Sequence, residues 1–233
     1  MSKEQLTAVL VHGAGTGAWI WEDVQSRLSI PSVAIDVPLH ESGATPDHCV
    51  GLIEKQLRSL EPCEFVIVLH SWAGVLAGSL ANALGERIIH TVYLSAVIPA
   101  AGASFVDTMP IPQRWILRLL YSRNPEGLKP SEAMIRKEYC NDLSESAAQM
   151  VVDRFTVQRP EPYLTPVPGP HRDAASTYIR LGQDQSVPPA LQKKYASKLQ
   201  NPGTVTINAG HLAMLSRPAE VATVIEALKQ DIA

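Results

Sequence analysis

Charge is scarce in this chain of 233 residues. Asp, Glu, Lys and Arg make up 18% of it, and 20 basic against 23 acidic side chains leave a net charge of −3. That near-cancellation gives no basic footprint for nucleic acid, and the absence of single-sign runs gives no polyanion-binding tail. No stretch approaches 18 apolar residues, so no membrane-spanning segment is expected. The start, MSKEQLTAVL, lacks the longer apolar segment and small-residue cleavage site of a secretory signal. Cysteine is sparse and odd in number: Cys49, Cys63 and Cys140, at unrelated spacings, read as reduced thiols of a cytoplasmic protein. No CxxC or HExxH occurs and the seven histidines are scattered, so no metal site is suggested. What is present is an ordinary apolar content of 45%. The length suggests one or two domains, and one large α/β domain spanning residues 1–233 fits equally well; such a chain buries about 70–75% of its unfolded surface, so a real core is expected.

Short β-branched runs alternate with longer helix-like segments. Thr7–His12, Ser32–Val37, Phe65–Leu69 and part of Ile88–Ile98 read as strands, and Trp19–Leu28, Pro46–Leu60 and Ser71–Leu84 as the helices between them. The continuous apolar run FVIVL suits a strand covered on both faces. The alternation predicts a mostly parallel sheet flanked by helices, with ligands outside the carboxyl ends of its strands. The pattern breaks over roughly residues 100–170, where ten of the 18 prolines fall between Pro99 and Pro170. Two helical pieces, near Arg114–Tyr121 and Ser131–Phe155, suggest a cap inserted over the sheet. A self-packing excursion is the other reading. Afterwards Thr177–Leu181 and Thr204–Asn208 read as strands and Pro188–Leu199 and Pro218–Lys229 as helices, giving about six strands in all.

The most informative stretch is Leu69-His70-Ser71-Trp72-Ala73-Gly74, where a strand runs straight into a small-residue helix with serine at the turn. Such a turn exposes a hydroxyl and aims a helix N-terminus at it, and small residues let strand and helix approach. A simple helix N-cap would also place serine there. After the first strand, His12-Gly13-Ala14-Gly15 forms a turn whose Ala14 N–H, with that of Trp72, could stabilise an oxyanion. The stretch GAGTGA does not fit the dinucleotide pattern G-x-G-x-x-G, since Ala18 stands where the last glycine belongs. His12 reads as structural. Asp184 follows Thr177–Leu181, and His211 follows the last strand. Ser71, Asp184 and His211 thus each lie just past a strand's carboxyl end, in the chain order Ser, Asp, His. Asp36 and Asp107 are poorer acids for the role, one within a strand and the other far from its nearest strand end.

These motifs carry a resemblance. LVHGAGTGAWIW (Leu10–Trp21), LHSWAG (Leu69–Gly74), DQSVPP (Asp184–Pro189) and AGHLAML (Ala209–Leu215) resemble, in order, those of the α/β-hydrolase superfamily. Within it they are similar to the small plant methylesterases and hydroxynitrile lyases and their bacterial relatives. The resemblance implies an α/β-hydrolase fold with a helical cap and a cofactor-independent serine mechanism. It places Ser71, Asp184 and His211 as a catalytic triad, with Ala14 and Trp72 as oxyanion-hole donors. It also discriminates between chemistries. Lyases of this group carry a threonine after the first-strand histidine and a lysine after the catalytic one, where this chain has Gly13 and Leu212. Hydrolysis of a small carboxylic ester is therefore expected; a lyase or a non-catalytic ligand-binding receptor on this fold is the alternative. Leu69 departs from the glycine usual at its place. The pocket is expected to be apolar, walled by Trp72 and by Gly13, Trp115 and Leu212, with Phe105, Met109, Ile111 and Leu119 as further cap candidates. His40 and His171 read as exposed loop positions, with the pocket rim as the other reading. Oligomeric state is not legible.

Overall fold

Runs rich in Val and Ile make the strands, because branched side chains pack well on a pleated surface. The computed structural model describes residues 5–60, 63–170 and 175–232. Its strands are β1 (Gln5–Val11), β2 (Ser32–Ile35), β3 (Cys63–His70), β4 (Ile88–Leu94), β5 (Ser176–Leu181) and β6 (Gly203–Ile207). They form one sheet in the order β2-β1-β3-β4-β5-β6, and every neighbouring pair is parallel. Successive side chains of a strand face opposite ways. On β3, Phe65, Ile67 and Leu69 enter one core, and Val66 and Val68 enter the other. Each such fully buried side chain contributes about 1.5–3 kcal/mol. This double burial explains why the run FVIVL shows no polar alternation.

Helices cover both faces. On one side lie α2 (Pro46–Arg58), α3 (Ala77–Leu84) and α8 (Pro189–Ala196); on the other, α1 (Glu22–Gln25), α9 (Ala213–Ser216) and α10 (Pro218–Ile232). Thr45 caps α2 by accepting from the His48 N–H, and Pro46 occupies its first turn. The expected helix Trp19–Leu28 is shorter than its pattern suggested, a 3₁₀ turn at Ala18–Trp21 followed by the single turn of α1. Among the described residues no helix is long and apolar enough to cross a membrane.

Between β4 and β5 the chain forms α4 (Ile111–Arg123), α5 (Glu132–Tyr139), α6 (Glu145–Arg154) and α7 (Glu161–Leu164). The expected continuous helix Ser131–Phe155 is two helices, broken at Cys140–Ser144. Ser144 starts the second by accepting from the Ala147 N–H. Asn141 and Asp142, in the break, are spent elsewhere: the Asn141 amide donates to the Gln183 carbonyl, and Asp142 accepts the Gly210 N–H at 2.7 Å. A regular helix would have carried both side chains away from those loops.

Asp107 fastens the start of this segment. Its carboxylate accepts the Ser104 hydroxyl and N–H and the Arg118 guanidinium. The Ser104 bonds first, then Arg118, hold its pKa down at about 2. A carboxylate whose folded pKa is depressed stabilises above its unfolded pKa, and that contribution is lost as pH falls through the folded value. Asp107→Asn is therefore expected to lower the Tm at pH 7, with the deficit shrinking between about pH 4 and pH 2. A deficit independent of pH in thermal melts would refute the electrostatic account.

Candidate active site

Ser71, Asp184 and His211 each stand just beyond a strand's carboxyl end. Ser71 follows β3 directly and opens a 3₁₀ turn, Ser71–Leu76, that leads into α3. Its φ of +53° is a left-handed conformation rare outside glycine. The turn is made tight by Gly74 and Gly78: a Cβ would lie 2.5 Å from the Val97 carbonyl oxygen at the first and 2.3 Å from that of Gly169 at the second. Leu69, the penultimate residue of β3, is fully buried in the same apolar core as the turn residues Trp72 and Ala73. Asp184 and His211 come together because hydrogen bonding continues past β5 and β6, from the Gly182 N–H to Ile207 O and from the Gln183 N–H to Ala209 O, each at 2.9 Å.

The three side chains form one hydrogen-bonded chain. His211 Nε2 lies 3.0 Å from Ser71 Oγ, and His211 Nδ1 lies 2.7 Å from Asp184 Oδ2. All three are buried; Ser71, the most accessible, is 7% exposed. A carboxylate can only accept, so Nδ1 carries the imidazole proton and Nε2 presents its lone pair to the serine hydroxyl. Asp184 is held from the other side too. Its Oδ1 accepts the Ser186 and Val187 N–H groups at 2.8 Å, and its Oδ2 accepts the Ser95 hydroxyl at 2.6 Å. Burial pushes its pKa up, but His211 and the hydrogen bonds from His211, Ser95 and Val187 outweigh it and hold the acid below its usual range. His70 packs beside His211 with ring centroids 4.7 Å apart, and its Nε2–H donates to the His211 carbonyl at 3.0 Å. Burial, then His211 nearby, lower the His70 pKa well below the usual imidazole value. Tyr139 sets its ring edge-on to His211 at 5.2 Å.

Ser71 opens into a cavity of about 460 Å³. Ala14 and Trp72 line it together with Ser71. The Trp72 indole N–H donates to the Pro162 carbonyl, tying the inserted segment to the Ser71 turn. Phe105 and Met109 line the cavity, with Leu117, Leu120, Tyr121 and Tyr163. Other expected wall residues do not. Trp115 is 68% exposed, and Ile111 and Leu119 share its outward side of α4. Residues 111, 115 and 119 lie on one helical face, and 117, 120 and 121 lie on another. Leu212 is fully buried in the core, away from the cavity. Gly13 also stands outside the lining: a Cβ there would come 2.8 Å from Ser71 Cβ, so the glycine serves the approach of two loops rather than substrate space. His40 lines a separate cleft with Asp36 and Glu41. His171 lies outside the described residues. Among the described residues no group of three or more His, Cys, Asp or Glu is arranged to hold a metal.

Sequence reasoning missed Ser95, His70, Tyr139 and Phe155. Ser95 offered only a weak signal, its place directly after β4 as Ser71 follows β3; the positive φ it shares with Ser71, at +44°, is visible only in the structure. Phe155 had none: its ring covers Gly15, where a Cβ would meet it at 2.0 Å, and the next residue's N–H donates to the Gly15 carbonyl.

The family model described as the alpha/beta hydrolase family matches residues 8–224 of the chain. Polyneuridine aldehyde esterase of Rauvolfia serpentina is 27% identical over 94% of each chain. A carbendazim hydrolyzing esterase of Nocardioides sp. (strain SG-4G) is 28% identical over 44% of this chain, and the match spans 46% of that enzyme's length. Among solved structures, an extracellular alpha/beta-hydrolase from a Paenibacillus species superimposes with a TM-score of 0.85. It is 17% identical, over 94% of this chain and 97% of its own, a likeness of fold.

Proposed function

The chain belongs to the alpha/beta hydrolase family, and from that premise we propose that it hydrolyses small carboxylic esters through an acyl-enzyme on Ser71. The observation that carries this reading is the chain Ser71–His211–Asp184, opening into an apolar cavity. His211 Nε2 takes the hydroxyl proton as Ser71 Oγ attacks the ester carbonyl. Asp184 keeps the imidazole in the required tautomer and stabilises the imidazolium. The N–H groups of Ala14 and Trp72 bind the oxyanion, each such donor being worth about 3 kcal/mol. The tetrahedral intermediate collapses, the C–O bond breaks, and His211 protonates the departing alkoxide. Water, deprotonated by His211, then attacks the acyl group and frees the carboxylate and Ser71.

The segment between β4 and β5 serves as the cap of a single domain, and its α4 face supplies the acyl wall. A cavity of about 460 Å³ falls in the range of pockets for small organic ligands. The partner is thus a small ester, with no nucleic acid or membrane implied. A cytoplasmic setting belongs to the same reading, supported by three free, buried cysteines. Leu212 supplies no charge for a departing cyanide and Gly13 stands where such lyases carry threonine, so the lyase reading is not favoured.

The test is a p-nitrophenyl ester series from acetate to octanoate. Multiple turnovers with one optimal chain length, and a covalent acyl group on Ser71 in mass spectra of quenched reactions, are expected. Absence of turnover across the whole series would defeat the esterase reading.

A further inference from the structure

Resting on the esterase reading above, we infer that Thr16 and His12 are positioning residues that aim and polarise the Gly13–Ala14 peptide unit, whose N–H serves the oxyanion alongside that of Trp72. The carbonyl of that unit accepts two side-chain hydrogen bonds, from His12 Nδ1 at 2.7 Å and from the Thr16 hydroxyl at 3.1 Å. Both donors are buried. The His12 tautomer follows from its other nitrogen, since Nε2 accepts the Val37 N–H at 2.9 Å and so carries no proton. Nδ1 must then be the donor. Burial, acting against the Gly13 hydrogen bond and Asp36, lowers the His12 pKa and keeps the ring neutral.

A trans peptide is planar, with its C=O and N–H pointing in opposite directions. Anchoring the oxygen on two donors therefore fixes the direction of the Ala14 N–H, and Ala14 lines the cavity beside Ser71. A rotated peptide would abandon both bonds and strand two buried donors. Hydrogen bonds accepted by a carbonyl also strengthen donation from the N–H of the same amide. Little room exists for compensation, because the loop is seated against the nucleophile at Gly13. Neither His12 nor Thr16 lines the cavity, so both act through the peptide and not on substrate. Thr16 isolates the effect, since His12 also carries the Val37 N–H.

The experiment compares wild type, Thr16→Val, Thr16→Ser and Ser71→Ala on the best p-nitrophenyl ester. It also measures inhibition by an alkyl boronic acid, whose tetrahedral adduct on Ser71 places an oxygen in the oxyanion hole. Thr16→Val keeps the side-chain shape and loses the donor. Its kcat is expected to fall about 3- to 10-fold with KM unchanged, and the boronate Ki to rise by a similar factor. Thr16→Ser, which retains the hydroxyl, is expected to match wild type in both. A structural role would shift Tm without this split between kcat and KM. Wild-type kcat and Ki in Thr16→Val would overturn the inference while leaving the esterase reading intact. An inert wild type, or full activity in Ser71→Ala, would overturn both. If Thr16→Val does not fold, Thr16→Ala is measured against Thr16→Ser with the same criteria.

Discussion

Ser71→Ala is expected to lower kcat by roughly 10⁶-fold while the protein stays folded. The serine oxygen meets His211 Nε2 at 3.0 Å and otherwise borders the cavity, so its removal breaks no structural bond network. The turn itself is held by backbone contacts, including the Val97 N–H to the Ser71 carbonyl at 2.9 Å. Alanine tolerates the left-handed φ about as well as serine does, so the Tm should change little. Residual rate above background, of roughly 10³-fold, would come from the oxyanion donors and binding alone. Steady-state turnover and acyl-adduct mass spectrometry check this together. Retention of wild-type turnover would remove Ser71 from the mechanism.

Asp184→Asn is expected to cost roughly 10⁴-fold in kcat, although the two side chains are isosteric. Both oxygens of Asp184 face donors: two backbone N–H groups at Oδ1, and Ser95 Oγ and His211 Nδ1 at Oδ2. An asparagine must turn its oxygen to one pair and its NH₂ to the other. The backbone pair cannot change sign, so the NH₂ goes to His211. Nδ1 must then give up its proton and accept, which moves the proton to Nε2 and points it at Ser71. That tautomer cannot take the serine proton. Ser95, a hydroxyl, can rotate and accept, so the loop is expected to survive. The measurement is kcat together with the NMR tautomer signature of the His211 ring nitrogens. An unchanged tautomer with kcat within tenfold of wild type would show that Asp184 does not orient the histidine.

Much of this arrangement was legible before the structure. Strand periodicity of two and helix periodicity of 3.6 place elements in order, and a parallel sheet places its functional loops at one end. Ser71, Asp184 and His211 were findable because each follows a strand and has a side chain suited to acyl chemistry. Ser95 occupies an equivalent place, but an isolated serine after a strand is too common to single out. Its role needs Asp184, 89 residues away, at 2.6 Å. His70 is hidden in a different way, because its partner is a backbone carbonyl that no residue type announces.

The inserted segment was the least legible part. Helix α4 is apolar around much of its circumference, with Ile111, Trp115, Ile116 and Leu119 exposed and Leu117 and Tyr121 turned inward. Amphipathic reading requires a polar face, and where both faces are apolar only the docked neighbours choose between them. The break between α5 and α6 was missed for a related reason: Asn141 and Asp142 leave the helical path to bond Gln183 and Gly210, across the fold. The succession of six strands and the loops that carry Ser71, Asp184 and His211 could be read from the residues alone, because they follow from local periodicity and chain order. Which face of α4 lines the cavity, and which partners hydrogen-bond Asp184 and pack on His211, emerged only from the folded chain. So did the donors that hold the Gly13–Ala14 peptide, since hydrogen bonds and packing between distant segments depend on distances that local pattern does not encode.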